Sequence, residues 1–184
     1  MSKIFFLKEF IRENKTVGSL TPSSRFLASK MLDNIDYSKT KVIVELGPGT
    51  GVFTRRIAKK LPKNVVLLVF ELNEEFYLQL KNEFYQSNIM IIHDSAENIL
   101  MYLKEHNFDC ADVVISSLPL SNFKEDLRSS LLNNIYESLS DAGKFIQFQY
   151  SLQSKKALMS LFQEVKIDFT ALNIPPAFVF SCQK

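Results

Sequence analysis

Short apolar blocks alternate with amphipathic stretches along this chain. Continuous apolar runs at 42–46, 65–70, 89–92 and 112–117 read as strands buried on both faces, and further strands are expected at 144–150, 164–171 and 177–183. Between them, apolar positions at helical spacing predict helices over 3–14, 23–34, 51–61, 74–86, 96–106, 123–140 and 152–162. Strands alternating with helices give an α/β fold whose mostly parallel, seven-stranded sheet is covered on both faces. Only the turn Asn173, Ile174, Pro175, Pro176 separates the last two strands, so the sheet ends in an antiparallel hairpin. One domain is expected over 1–184, with 1–35 as a helical N-terminal cap and 36–184 as the core.

The first strand carries the most specific chemistry. Val42 to Leu46 runs into Gly47, Pro48, Gly49, Thr50 and Gly51, a turn in which the missing side chains let backbone approach a ligand closely. A dinucleotide fingerprint needs glycine or alanine three residues after its second glycine, and Val52 stands there instead. With Glu45 at the strand end, the segment resembles motif I of class I S-adenosylmethionine-dependent methyltransferases, which implies a Rossmann-like fold and that cofactor. Glu45 suits the ammonium of its methionine end, directly or through water. The second strand ends in Glu71, placed to accept from both ribose hydroxyls. The third ends in His93, Asp94 and Ser95. An Asp there accepts from the adenine amino group in the methyltransferase family, while Asp94 and Ser95 also read as caps of the following helix.

The fourth strand faces the transferred methyl group in this fold, and it ends in Ser116, Ser117, Leu118, Pro119 and Leu120. Adenine N-methylases carry Tyr or Phe where Leu120 stands, because a flipped base stacks on a ring. This departure counts against the rRNA adenine dimethylases. The blocks Val17 to Ala28, 45–51, Ser117 to Leu120, Gln147 to Tyr150, and Asn173 to Ala177 resemble, in order, the bacterial phospholipid N-methyltransferases that act on phosphatidylethanolamine. The tryptophan expected near the last block is replaced by Phe178 and Phe180.

That resemblance implies an amine attacking a sulfonium methyl after losing its proton. Tyr150, Ser116 and Ser117 are the candidate acceptors near the amine, with Leu118 and Pro119 beside it. Arg25 is the candidate cation for the lipid phosphate, or else a surface ion-pair former. Thr21, Ser23 and Ser24 are helix caps that also fit the cofactor mouth.

Composition narrows the partners. A net charge of +2 offers no strong field for nucleic acid, and none is expected as a partner. The two cysteines, without a CxxC or a histidine cluster, leave neither a disulfide framework nor a metal site in view and fit a reducing cytoplasm. On a helix over 3–15, Ile4, Phe6, Leu7, Phe10 and Ile11 fall on one side, opposite Lys8, Glu9, Arg12, Glu13 and Lys15, with Phe5 intruding. Such a helix lies in a bilayer interface or packs on its own domain; peripheral membrane contact at the inner face is the expectation. No apolar run approaches the roughly 20 residues that span a bilayer. An RNA adenine methyltransferase, or a membrane-associated module that binds the cofactor without turnover, are the alternatives.

Overall fold

The computed structural model describes residues 25–33 and 35–184. The expected helix over 3–14, the membrane-contact segment 3–15 and the caps Thr21, Ser23 and Ser24 lie outside the described residues.

Strands β1 (Val42–Leu46), β2 (Val66–Phe70), β3 (Ile89–Ile92), β4 (Ala111–Ser116), β5 (Leu139–Gln149), β6 (Glu164–Thr170) and β7 (Ala177–Gln183) form one sheet in the order β3-β2-β1-β4-β5-β7-β6. The first five pair in parallel, and β7 runs antiparallel to both β5 and β6. The expected terminal hairpin is therefore present.

Helices α1 (Arg25–Leu32), α2 (Val52–Lys60) and α3 (Glu74–Glu83) cover one face, where Leu27, Met31, Ile57 and Leu80 pack on Ile43, Leu67 and Ile115. Helices α4 (Ile99–Glu105), α5 (Glu125–Ser138) and α6 (Lys155–Leu161) cover the other, where Ile99, Leu131, Ile135 and Leu158 pack on Val44, Leu68 and Phe145. All five residues of β1 are buried, which is why that strand reads as an apolar run broken only by Glu45. Edge strand β6 instead alternates, its exposed positions including Glu164, Lys166 and Asp168, charges that discourage edge-to-edge pairing. Among the described residues no helix is long and apolar enough to cross a membrane.

Several helices are shorter than expected, with Glu74–Glu83, Glu125–Ser138 and Lys155–Leu161 standing where 74–86, 123–140 and 152–162 were read, and two boundaries differ for a visible reason. The helix expected over 96–106 opens as a 3₁₀ turn, Ala96–Asn98, capped by the Ser95 hydroxyl, before α4 begins. Strand β5 starts at Leu139 rather than 144, because Leu139 pairs with Ala111 before the register shifts and Lys144 pairs with Val113. The irregularity closes tightly at Gly143, where an added Cβ would sit 2.9 Å from the Ser140 carbonyl oxygen and 3.0 Å from Leu139. Backbone yields less readily than a side-chain tip, so Gly143→Ala is expected to destabilise the fold by about 1–3 kcal/mol. A urea-denaturation midpoint equal to that of the parent would contradict this.

Candidate active site

Strand order reverses at β1, so the chain leaves β1 toward β2 on one side while β4 lies on the other. The loops at the carboxyl ends of β1 and β4 diverge there and leave a crevice. It is lined by Gly47 from the β1 turn, Phe70, Glu71 and Leu72 from the end of β2, Asp94 and Ala96 after β3, and Leu118 after β4.

The three turn glycines do different jobs. All have positive φ, at 67° for Gly47, 55° for Gly49 and 80° for Gly51. A Cβ on Gly47 would meet Leu118 Cδ2 at 2.7 Å, and one on Gly51 would meet Leu80 Cδ2 at 2.6 Å. Those two glycines admit neighbouring leucines. At Gly49 nothing lies within 4 Å of the added atom, so this is the position with open space in front of its backbone.

The two carboxylates expected at opposite ends of the cofactor meet different environments. Glu71 is 5% exposed and lines the crevice. Its Oε2 accepts from the Gly49 N–H at 3.0 Å and its Oε1 from the Asn73 N–H at 2.8 Å, which ties the glycine turn to the end of β2. Burial pushes its pKa up, and the backbone N–H groups of Asn73, Gly49 and Leu72 oppose that shift. Glu45 does not line the crevice. By the alternation of β1 it faces the α1–α3 side with Ile43, and it is fully buried. Neither of its oxygens has a hydrogen-bond partner among the described residues, and the same holds for the buried Thr54 hydroxyl of α2. Burial pushes Glu45 up to about 8; the nearby Thr54 hydroxyl and backbone N–H oppose this in part, and the negative charge of Glu71 adds to it.

Asp94 Oδ1 accepts from the Ser95 N–H at 2.6 Å and its Oδ2 from Asn98 Nδ2 at 2.9 Å, but the residue that caps the 3₁₀ turn is Ser95, so the cap reading holds for Ser95 and not for Asp94. Asp94 does line the crevice. Ser95 is fully buried and accepts from the Glu97 N–H at 3.2 Å. Its hydroxyl is engaged in capping.

At the end of β4, Ser116 is buried and its Oγ accepts from the Leu118 N–H at 3.2 Å, fixing the turn. The Ser117 hydroxyl is buried without a partner among the described residues. Leu118 lies on the crevice, whereas Pro119 is exposed and Leu120 turns into the core with no exposure at all. Gln147, on β5, donates from Nε2 to the Leu118 carbonyl at 3.0 Å and to the Phe148 carbonyl at 2.6 Å. This glutamine belongs to a motif block, yet its role depends on a partner 29 residues away, which spacing alone does not reveal.

Tyr150 is 51% exposed and packs edge-on against Phe148, with centroids 5.7 Å apart, and Phe148 in turn lies 5.9 Å from Phe53 of α2. Burial raises the pKa of its phenol, and the buried Asn173 side chain opposes the shift. At neutral pH Tyr150 is therefore a neutral hydroxyl. Arg25 is exposed at the start of α1, its guanidinium 4.8 Å from the ring of its neighbour Phe26. The crevice lining does not include Arg25.

Comparison with known proteins decides the family. The sequence profile of ribosomal RNA adenine dimethylase matches residues 12–165. The chain belongs to the ribosomal RNA adenine dimethylase family. Its sequence is 28% identical over 180 residues to the ornithine lipid N-methyltransferase of Singulisphaera acidiphila, covering 97% of this chain and 94% of that protein. It is also 28% identical over 144 residues to the ribosomal RNA small subunit methyltransferase A of Mycoplasma capricolum, covering 78% of this chain but 52% of the relative. The fold matches magnesium protoporphyrin IX methyltransferase from Synechocystis PCC 6803, solved with bound S-adenosylmethionine, at a TM-score of 0.69 and 8% identity, over 100% of this chain and 98% of that one.

This adenine dimethylase family member is thus a Rossmann-like methyltransferase, and S-adenosylmethionine is its cofactor. Membership is broader than the departure at Leu120 implied: the profile spans that position although no aromatic ring stands there.

Glu45 sets a pH dependence on the cofactor-free protein. Its folded pKa of about 8 lies above the ordinary glutamate value of 4.5. The folded chain holds the proton more tightly, so the stability this group contributes is complete below the lower value and is lost as pH rises toward the upper one. The loss is on the order of a few kcal/mol. Urea midpoints of parent and Glu45→Gln, compared at about pH 5 and about pH 8.5, isolate this residue. The glutamine variant should lose less stability across that interval, and equal losses would contradict the assignment.

Proposed function

We propose that this methyltransferase acts on the amine of a lipid headgroup, of the phosphatidylethanolamine type. The observation that carries the reading is Leu120, which is fully buried in the core at the position where an adenine N-methylase presents a ring to its base. End-to-end coverage of a lipid N-methyltransferase supports the same class of acceptor, whereas the chain spans about half of the rRNA methyltransferase. An ornithine lipid is a second acceptor, favoured by that coverage.

In this reading Glu71, already held by Gly49 and Asn73, keeps lone pairs toward the crevice for the ribose hydroxyls. Asp94 accepts from the adenine amine, with Ser95 shaping the turn beneath it. The backbone at Gly49 admits the methionine end, while Gly47 and Gly51 hold the turn against Leu118 and Leu80. Glu45, buried and without a charged partner among the described residues, attracts the ammonium directly or through water and ionises when a cation arrives. Bound S-adenosylmethionine supplies a sulfonium methyl whose C–S bond breaks as the amine nitrogen forms its N–C bond.

The chain's part is to orient the amine in line and to accept its proton-bearing side. Headgroup ammonium must first become amine, with water as the final proton sink. Ser117, whose hydroxyl has no partner among the described residues, and the neutral Tyr150 hydroxyl are the acceptors that steer it. Ser116 acts through the turn that its hydroxyl fixes, which places Leu118 and Pro119 beside the headgroup. The half-exposed ring of Tyr150, backed by Phe148 and the buried Phe53, gives the methylated product cation a π face worth about 0.5–2 kcal/mol. Arg25 is assigned to the lipid phosphate.

Two measurements test this reading. Labelled S-adenosylmethionine offered with phosphatidylethanolamine vesicles, ornithine-lipid vesicles and RNA in parallel should label a lipid. Label confined to RNA would establish the family profile's adenine activity instead. By calorimetry, Glu71→Ala should weaken cofactor binding by about 1–3 kcal/mol, the cost of losing charge-assisted hydrogen bonds. Unchanged affinity would remove Glu71 from the site.

A further inference from the structure

We propose that the tip of the β6–β7 hairpin is a bilayer-seating edge that presents the crevice to a membrane carrying anionic lipid. The proposal rests on the lipid reading only for why the crevice should approach a bilayer; its own support is the surface of the tip.

Topology puts the tip on the active side of the sheet. β5 runs parallel to β4, and Gln149 at its end pairs with Phe178 near the start of β7. Phe178 also pairs with Phe169 near the end of β6, so the turn 171–176 projects from the sheet edge that bears the crevice.

That turn is apolar wherever it meets water. Ala171, Leu172, Ile174, Pro175 and Pro176 are exposed, with Leu172 at 62% and Ile174 at 76%. Its single polar residue, Asn173, is 2% exposed and donates to the Pro175 carbonyl at 2.8 Å. Asn173 is also the side chain against the Tyr150 hydroxyl, which links the tip to a candidate acceptor-binding residue. A loop facing only water draws its exposed positions from polar turn formers, and here the polar member is spent inside. Phe169, 52% exposed at the base of the tip, begins a run without acidic or basic residues that lasts through Gln183. A lone exposed leucine needs no account, but a contiguous apolar projection does.

Charge around the projection selects a bilayer. After β5, Leu152 is 44% exposed and is followed by the exposed Lys155 and Lys156 that open α6. At the base, Asp168 is 3.6 Å from Lys30 of α1, so its negative charge is offset. An apolar point flanked by lysines matches the boundary between acyl chains and anionic headgroups.

Flotation of the full chain with vesicles of phosphatidylcholine and phosphatidylglycerol tests this without any methyl acceptor present. The parent should float. Leu172→Asp/Ile174→Asp should partition roughly tenfold less or worse, with calorimetric cofactor affinity unchanged. If the aspartates impair folding, Leu172→Ser/Ile174→Ser should show a smaller loss in the same direction. A parent that does not float, or variants that float like the parent, would overturn the proposal. So would a tip variant that abolishes self-association in sedimentation while vesicle binding persists. Flotation without label transfer to any lipid would leave the tip standing and sink the lipid acceptor.

Discussion

The crevice exists because β1 is hemmed in on every side. It pairs in parallel with β2 and β4, and all five of its residues are buried between the two helical layers. Parallel strands must be joined by crossovers, so the connections beyond β1 and β4 leave toward opposite halves of the sheet. The gap between those departures is where the glycine turn, the end of β2 and the end of β4 meet. Gly47 makes the meeting possible, since Leu118 occupies the space in which its side chain would lie.

Within that frame the two glutamates show how one residue type acquires two characters. Glu71 looks into the crevice and finds two backbone donors, so its charge is supported before any ligand arrives. Glu45 lies one strand over, fully buried beneath the α1–α3 layer, where among the described residues Thr54 of α2 is the polar group beside it. An unpaired buried carboxyl costs stability at neutral pH, and a fold retains such a cost where a cation can offset it. The proposed methionine ammonium is such a cation. The same reasoning separates the β4 serines, because Ser116 is committed to the turn whereas Ser117 is not.

Strands buried on both faces were legible as apolar runs, and β1 to β4 fall within a residue of where they read. The start of β5 was not, because Ser140 and Asp141 are polar and the pairing with β4 resumes only after a register shift. The glycine turn announced itself, but its three positions read alike in sequence; only packing reveals that Leu118 and Leu80 occupy two of them and leave Gly49 open. Gln147 and Asn173 sat inside motif blocks without an assigned role. Each is defined by a carbonyl or hydroxyl brought near by folding, and that information is absent from local spacing.

Family and substrate need not point the same way, and Leu120 shows why. A profile over residues 12–165 weighs the whole frame, which is built for the cofactor and is shared whatever accepts the methyl group. On the proposed reading, the acceptor is met by a few positions after β4 and β5. Replacing a ring by a leucine that turns fully into the core withdraws a stacking surface and leaves no base-sized face at that point. The rings that remain, Tyr150 with Phe148 and Phe53, stand farther along the sheet, toward the end of β5, next to the apolar hairpin. An edge-on, half-exposed tyrosine suits a compact alkylammonium better than a flat heterocycle, since a cation is attracted over a short range to one ring face and needs no sandwich. On the proposed reading, the site has moved its aromatic surface from the strand that grips a base to the strand that faces a lipid surface, while the cofactor frame stays as it was.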